Sequence, residues 1–72
     1  MDEKIHIGKL IQEKMKIDGR SAQWLAQQLY CRTSNIYKIY EKPTINTGLL
    51  LRISKVLQTD FFAYYSNMLN KK

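Results

Sequence analysis

Thr33, Ser34, Tyr37 and Lys38 bring two short hydroxyls, a phenol and an ammonium close together in the chain. At about 100° per residue they share, with Glu41, one arc of about 140° on a helix, and Ile36, Ile39 and Tyr40 take the other side. The apolar side must be buried, so the polar side looks outward. Thr and Ser allow close approach to base edges, Lys38 can donate to guanine N7 or O6, and Tyr37 can stack on a sugar or thymine methyl or bond a phosphate. Catalytic chemistry has less to draw on. Cys31 and His6 are the only residues of their types and lie far apart in sequence, which makes a poor nucleophile or metal site. Paired carboxylates beside a base and a Gly-rich phosphate loop are also missing, so neither an enzyme nor a cofactor is expected.

The element that must hold this face is read from the segment 21–39. Ala22, Leu25, Ala26, Leu29, Cys31, Ile36 and Ile39 mark one helical face, a tight break and a second helical face. Two short helices joined in this way form a helix-turn-helix, whose second helix can enter a DNA major groove. The remaining chain also reads as helix. Ile7, Leu10, Ile11 and Met15 predict a helix over about 4–18, stopped by Gly19. Ser21 caps a helix over 22–29, and Pro43 ends the helix over 33–41. Asn46 caps 47–57 through Leu49, Leu50, Ile53, Val56 and Leu57. Asp60 caps 61–69, with apolar Phe61, Phe62, Tyr65, Met68 and Leu69, and Asn70, Lys71 and Lys72 fray. The expected fold is all-α with five helices.

Length and charge narrow the class. With 72 residues the chain is expected to form one domain, burying only about 60% of its unfolded surface, and a partner chain would add stability. A single cysteine excludes an intramolecular disulfide, and Met1 opens a charged segment unlike a secretion signal, so a cytoplasmic location is expected. No apolar run approaches the roughly 18 residues of a membrane span. The net charge of +6 is unevenly placed. Residues 1–19 balance Lys4, Lys9, Lys14 and Lys16 against Asp2, Glu3, Glu13 and Asp18, whereas over 20–58 Arg20, Arg32, Lys38, Lys42, Arg52 and Lys55 face only Glu41. A local basic surface of this kind attracts polyanions.

Other conspicuous residues have structural readings. Cys31 should pack as a small apolar side chain. Trp24 falls on the side of its helix away from Leu25 and Leu29, and reads as a lid on a neighbouring helix, or as an apolar contact with a partner protein. The last helix holds more aromatic surface than a small core needs. Most should cover the first and fourth helices; Tyr64, with Tyr65 and Met68, is the candidate surface for a homodimer.

From Ile7 to about Leu69 the chain resembles the phage-repressor-like helix-turn-helix family, the five-helix domain of Cro and the cI-type repressors. The resemblance rests on Ile7-Gly8-Lys9 opening the first helix, Leu25-Ala26 and Leu29 in the second, Ile36 and Ile39 in the third, and Leu50-Leu51-Arg52-Ile53-Ser54-Lys55-Val56-Leu57 in the fourth. It implies sequence-specific binding of double-stranded DNA by a small bacterial or phage regulator. The family's base-reading places fall on Thr33, Ser34, Tyr37 and Lys38. Its phosphate-contacting places fall on Ser21, Ala22, Gln23, Arg32, Lys42 and Thr44. Some relatives use the fold as an antitoxin-like or adaptor module, which is the alternative reading.

Four positions depart from the family pattern. Tyr30 stands where Gly is usual, and in a left-handed conformation it costs on the order of 1 kcal/mol. Arg32 replaces a Ser-type cap and cannot accept the orphan amide hydrogen bonds, which leaves them for water or a phosphate oxygen. Ala22 replaces a bracing Gln, and Gln23 stands beside it. Lys14 replaces an apolar residue whose packing falls to Leu10 and Met15. No attached sensor domain and no small-molecule ligand are evident, so regulation is expected to come from expression level, a partner protein or proteolysis.

Overall fold

A computed structural model describes residues 4–70; residues 1–3 and 71–72, and with them the expected fraying of Lys71 and Lys72, lie outside the described part. Five helices follow in order: α1 Ile7–Asp18, α2 Ala22–Gln28, α3 Thr33–Glu41, α4 Thr47–Leu57 and α5 Phe62–Asn70. No strand occurs among the described residues. No described helix is long and apolar enough to cross a membrane.

Local chemistry accounts for the boundaries. Ser21 Oγ accepts from the Trp24 amide at 3.1 Å, Asn46 Oδ1 from Leu49 at 2.7 Å and Asp60 Oδ1 from Ala63 at 3.2 Å, so all three expected caps form. α1 starts later than the periodicity predicts, at Ile7 and not near residue 4. His6 is extended and caps it through Nδ1, which accepts from the Lys9 amide at 3.1 Å. The amides of Ile7 and Gly8 donate to the carbonyls of Pro43 and Lys42 at 3.0 and 2.9 Å. Bonds to a distant loop thus satisfy α1's orphan donors where another helical turn was expected. At the other end of the chain α5 starts at Phe62, one residue late, and runs through Asn70.

Three helices close with one device. Gly19, Tyr30 and Gln58 are left-handed, with φ of 68°, 56° and 51°. Behind each, the next amide reaches back five residues: Arg20 to Met15, Cys31 to Ala26 and Thr59 to Ser54, at 2.9, 3.0 and 3.0 Å. This is the Schellman arrangement. Tyr30 therefore keeps the conformation usually served by Gly, and Gln58 does the same at the end of α4.

The core gathers the predicted apolar faces: Ile7, Ile11 and Met15 of α1, Leu25 and Ala26 of α2, Ile36 and Ile39 of α3, and Leu50, Ile53 and Leu57 of α4, with Leu29 and Phe61 from the connections. α3 packs on both α1 and α2. Met15 fills the core beside the polar Lys14, which is half-buried and pairs with Asp18 at 3.3 Å; Leu10 is only partly buried. Trp24 is half-buried at the core's edge, with the Arg20 guanidinium 4.3 Å from its ring centroid, a cation–π contact.

The last helix differs most from expectation. Phe61, just ahead of it, is fully buried, but no residue of α5 itself is. Phe62 and Tyr65 are half-buried, and Met68 and Leu69, assigned by periodicity to the packed stripe, are exposed, Leu69 to 87%. The α-helical stripe is present in the sequence, but its far end lines an open apolar groove with Ile5, Pro43 and Thr44 and is not covered.

Candidate nucleic-acid interface

α3 is held at two levels. Ile36 and Ile39 lie in the core, and its first turn is set by the α2–α3 connection, where the Tyr30 turn reverses the chain and Arg32 takes an extended conformation at the helix N-cap. Arg32 makes no side-chain capping bond and is exposed. A second clamp comes from α4: Arg52 Nη2 donates to the Leu29 carbonyl at 3.0 Å, binding a carbonyl at the C-terminal end of α2.

Ser34, Tyr37 and Lys38 are exposed on α3, and Thr33 at its start is half-buried. The exposed face has two flanks. Toward α1, Tyr37 and Glu41 line a concavity with His6, Lys9 and Gln12, and the Tyr37 ring stands edge-on to Tyr40 with centroids 6.0 Å apart. Toward α4, Asn35, Lys38 and Lys42 line a second cleft with Cys31 and Arg52. The base-reading candidates thus divide, Tyr37 to one flank and Lys38 to the other.

The phosphate-contacting candidates divide as well. Ser21 and Gln23 are exposed at the start of α2, the Ser21 hydroxyl oxygen already serving as cap. Ala22 is half-buried and packs against the core. Lys42 joins the α4-side cleft. Thr44, two residues on, lines a separate apolar groove with Ile5, Tyr65, Met68 and Leu69. The loop is pinned between them because the carbonyls of Lys42 and Pro43 are held by α1. Of the dimer candidates, Tyr65 and Met68 line this groove, whereas Tyr64 is exposed and stacks on Phe61 at 6.4 Å.

Sequence reasoning missed Asn35 and Arg52 as members of the site. The first was legible, since Asn35 and Lys38 are three positions apart and so neighbours on one side of α3. The second had no local signal, because Arg52 reaches the cleft only through the packing of α4. Cys31, expected to be buried, is half-buried and forms part of the cleft wall.

No ion pair within 4.0 Å forms on this side among the described residues. Among the described residues the one ion pair is Lys14–Asp18 on α1, so Arg32, Lys38, Lys42, Arg52 and Lys55 have no acidic partner within 4.0 Å. Burial, and secondarily the neighbouring Tyr37, pushes the Tyr40 phenol up from its ordinary value, keeping it neutral. No group of three or more His, Cys, Asp or Glu gathers to hold a metal among the described residues. In comparisons with protein-family models, with curated proteins and with solved structures, nothing matches the chain.

Proposed function

We propose that this protein is a sequence-specific double-stranded DNA-binding regulator of the phage-repressor-like helix-turn-helix type, with α3 as the helix that enters the major groove. The observation that carries this reading is the outward face of α3, polar and flanked by cations that, among the described residues, have no acidic partner within 4.0 Å. Phosphates on each side of a groove would meet Arg32 and the start of α2 at one edge and Lys42 at the other, while Ser34, Tyr37 and Lys38 reach base edges between them. Thr33, half-buried at the first turn, would contribute through its hydroxyl. The fold supports such docking because α1 and α2 both brace α3 from behind.

A homodimer through the Tyr65–Met68 side of α5 fits the same reading, since it would set two α3 helices about 34 Å apart on a palindromic site. Light scattering checks it: a monomer at high micromolar concentration overturns the free dimer.

The decisive experiment is binding to duplex DNA across salt, followed by selection from a random duplex pool. A steep loss of affinity with salt and a single enriched sequence are expected. Absence of binding at low salt overturns the proposal in favour of an adaptor module that uses the fold for a protein partner.

A further inference from the structure

The α4-side cleft is more than the border of a groove-reading helix. It is an open concavity of about 250 Å³ whose lining includes Leu29 and Cys31 from the α2–α3 connection. Its floor is apolar, formed by Leu29, Ile39 and Leu49, and its polar lining is Asn35, Lys38, Lys42 and Arg52. Among the described residues no acidic side chain lines it. Three cations over low-dielectric walls focus positive potential into the cleft.

Arg52 is the fixed member. Its bond to the Leu29 carbonyl uses one donor and orients the guanidinium, leaving the rest of its five N–H groups for another acceptor. A preset planar fork suits phosphate, and the Lys38 and Lys42 ammonium groups add mobile point charges around it. Asn35 supplies a neutral amide donor. Donors from α3, from Lys42 just beyond it and from α4 thus line one cleft, enough in number to serve the several oxygens of a phosphate. The volume lies just below the roughly 300–1,000 Å³ typical of small-molecule sites, which suits a phosphate headgroup with at most a small body.

We infer that this cleft is a phosphate-binding pocket formed by Asn35, Lys38, Lys42 and Arg52. The phosphate can come from a free small molecule or from a nucleic-acid backbone. Binding of free phosphate stands on the cleft alone; entry of a backbone phosphate rests on the DNA-binding reading.

The pocket contains its own reporter. Cys31 is the chain's single cysteine and lies in the wall, so a bound anion should shield it from alkylation. The experiment measures the rate of Cys31 modification by iodoacetamide with increasing inorganic phosphate, chloride being adjusted to hold ionic strength constant. If the occupied pocket is unreactive, phosphate at ten times its dissociation constant slows the reaction about elevenfold. Lys42→Gln and Arg52→Gln should each shift the protection curve to higher phosphate, with circular dichroism confirming helix content. Lys42→Gln keeps the test sound if loss of the Arg52 clamp disturbs the fold. A rate unchanged by phosphate, or protection that both folded variants retain in full, overturns the pocket.

A second arm uses a duplex with hydroxyl ends, whose only phosphates are backbone diesters. If free phosphate protects and this duplex does not bind, the pocket stands and the DNA reading falls. If the duplex binds without shielding Cys31 and phosphate alone protects, both readings stand and the pocket serves a free phosphate. If neither protects while the duplex binds, the pocket falls and the DNA reading stands.

Discussion

Gly8 shows how closely a single residue can limit this fold. A Cβ built there would come within 3.0 Å of the carbonyl oxygens of Ile39, Tyr40 and Lys42, all backbone and unable to swing away. The same contact lets the Gly8 amide donate to the Lys42 carbonyl, so the missing side chain allows α1 to abut the end of α3. Gly8→Ala should therefore lower stability by about 3 kcal/mol, the upper part of the overpacking range, and a thermal melt should show it directly. Tyr40, on the neighbouring turn, carries a pH prediction. Its folded pKa lies above the unfolded value of 10.0, so its contribution is complete below that pH and is lost as pH rises through the folded value. Tyr40→Phe should flatten the alkaline limb of the stability profile in denaturant titrations above about pH 10.

Helix ends carry the strain at the scale of elements. α2 and α4 both stop on left-handed residues with side chains, Tyr30 and Gln58, yet form the same back-bonding pattern as Gly19. Tyr30 is 92% exposed, so no packing of its ring offsets the backbone cost. Tyr30→Gly and Gln58→Gly should each raise stability by about 1 kcal/mol in chemical denaturation, whereas Gly19→Ala, with open space but φ of 68°, should lower it by a similar amount. The boundaries of α2, α3 and α4 were legible because Ser21, Pro43 and Asn46 act within a turn of their own positions. The start of α1 was not, since the carbonyls that take the Ile7 and Gly8 amides belong to the loop after α3.

The whole molecule sets the division of labour proposed for α3. Lys42 lies in the cleft beside α4, just beyond the end of α3, and Ser34 lies on the exposed side of α3 itself. Lys42→Ala should weaken binding to all duplexes alike and reduce the salt slope by about 1, while Ser34→Ala should lose about 1–3 kcal/mol only at particular base pairs. Equal behaviour of the two variants across a set of mutated sites would overturn the assignment. The exposed end of α5 bears on assembly: Met68 and Leu69 leave apolar surface uncovered beside Tyr65, where a second copy could bury it.

The polar and apolar faces of α3 were readable from residue spacing, because helical periodicity relates neighbours three and four positions apart. The caps at Ser21, Asn46 and Asp60 and the stop at Gly19 were readable for the same local reason. Tertiary structure alone decided that Lys38 faces α4 and Tyr37 faces α1, that Thr44 lies apart from Lys42, and that α5 leaves its far end uncovered. It also joined Arg52 to the Leu29 carbonyl across 23 residues of chain. Such pairings depend on the angles at which helices cross, which side-chain volumes throughout the core set together and no single segment encodes.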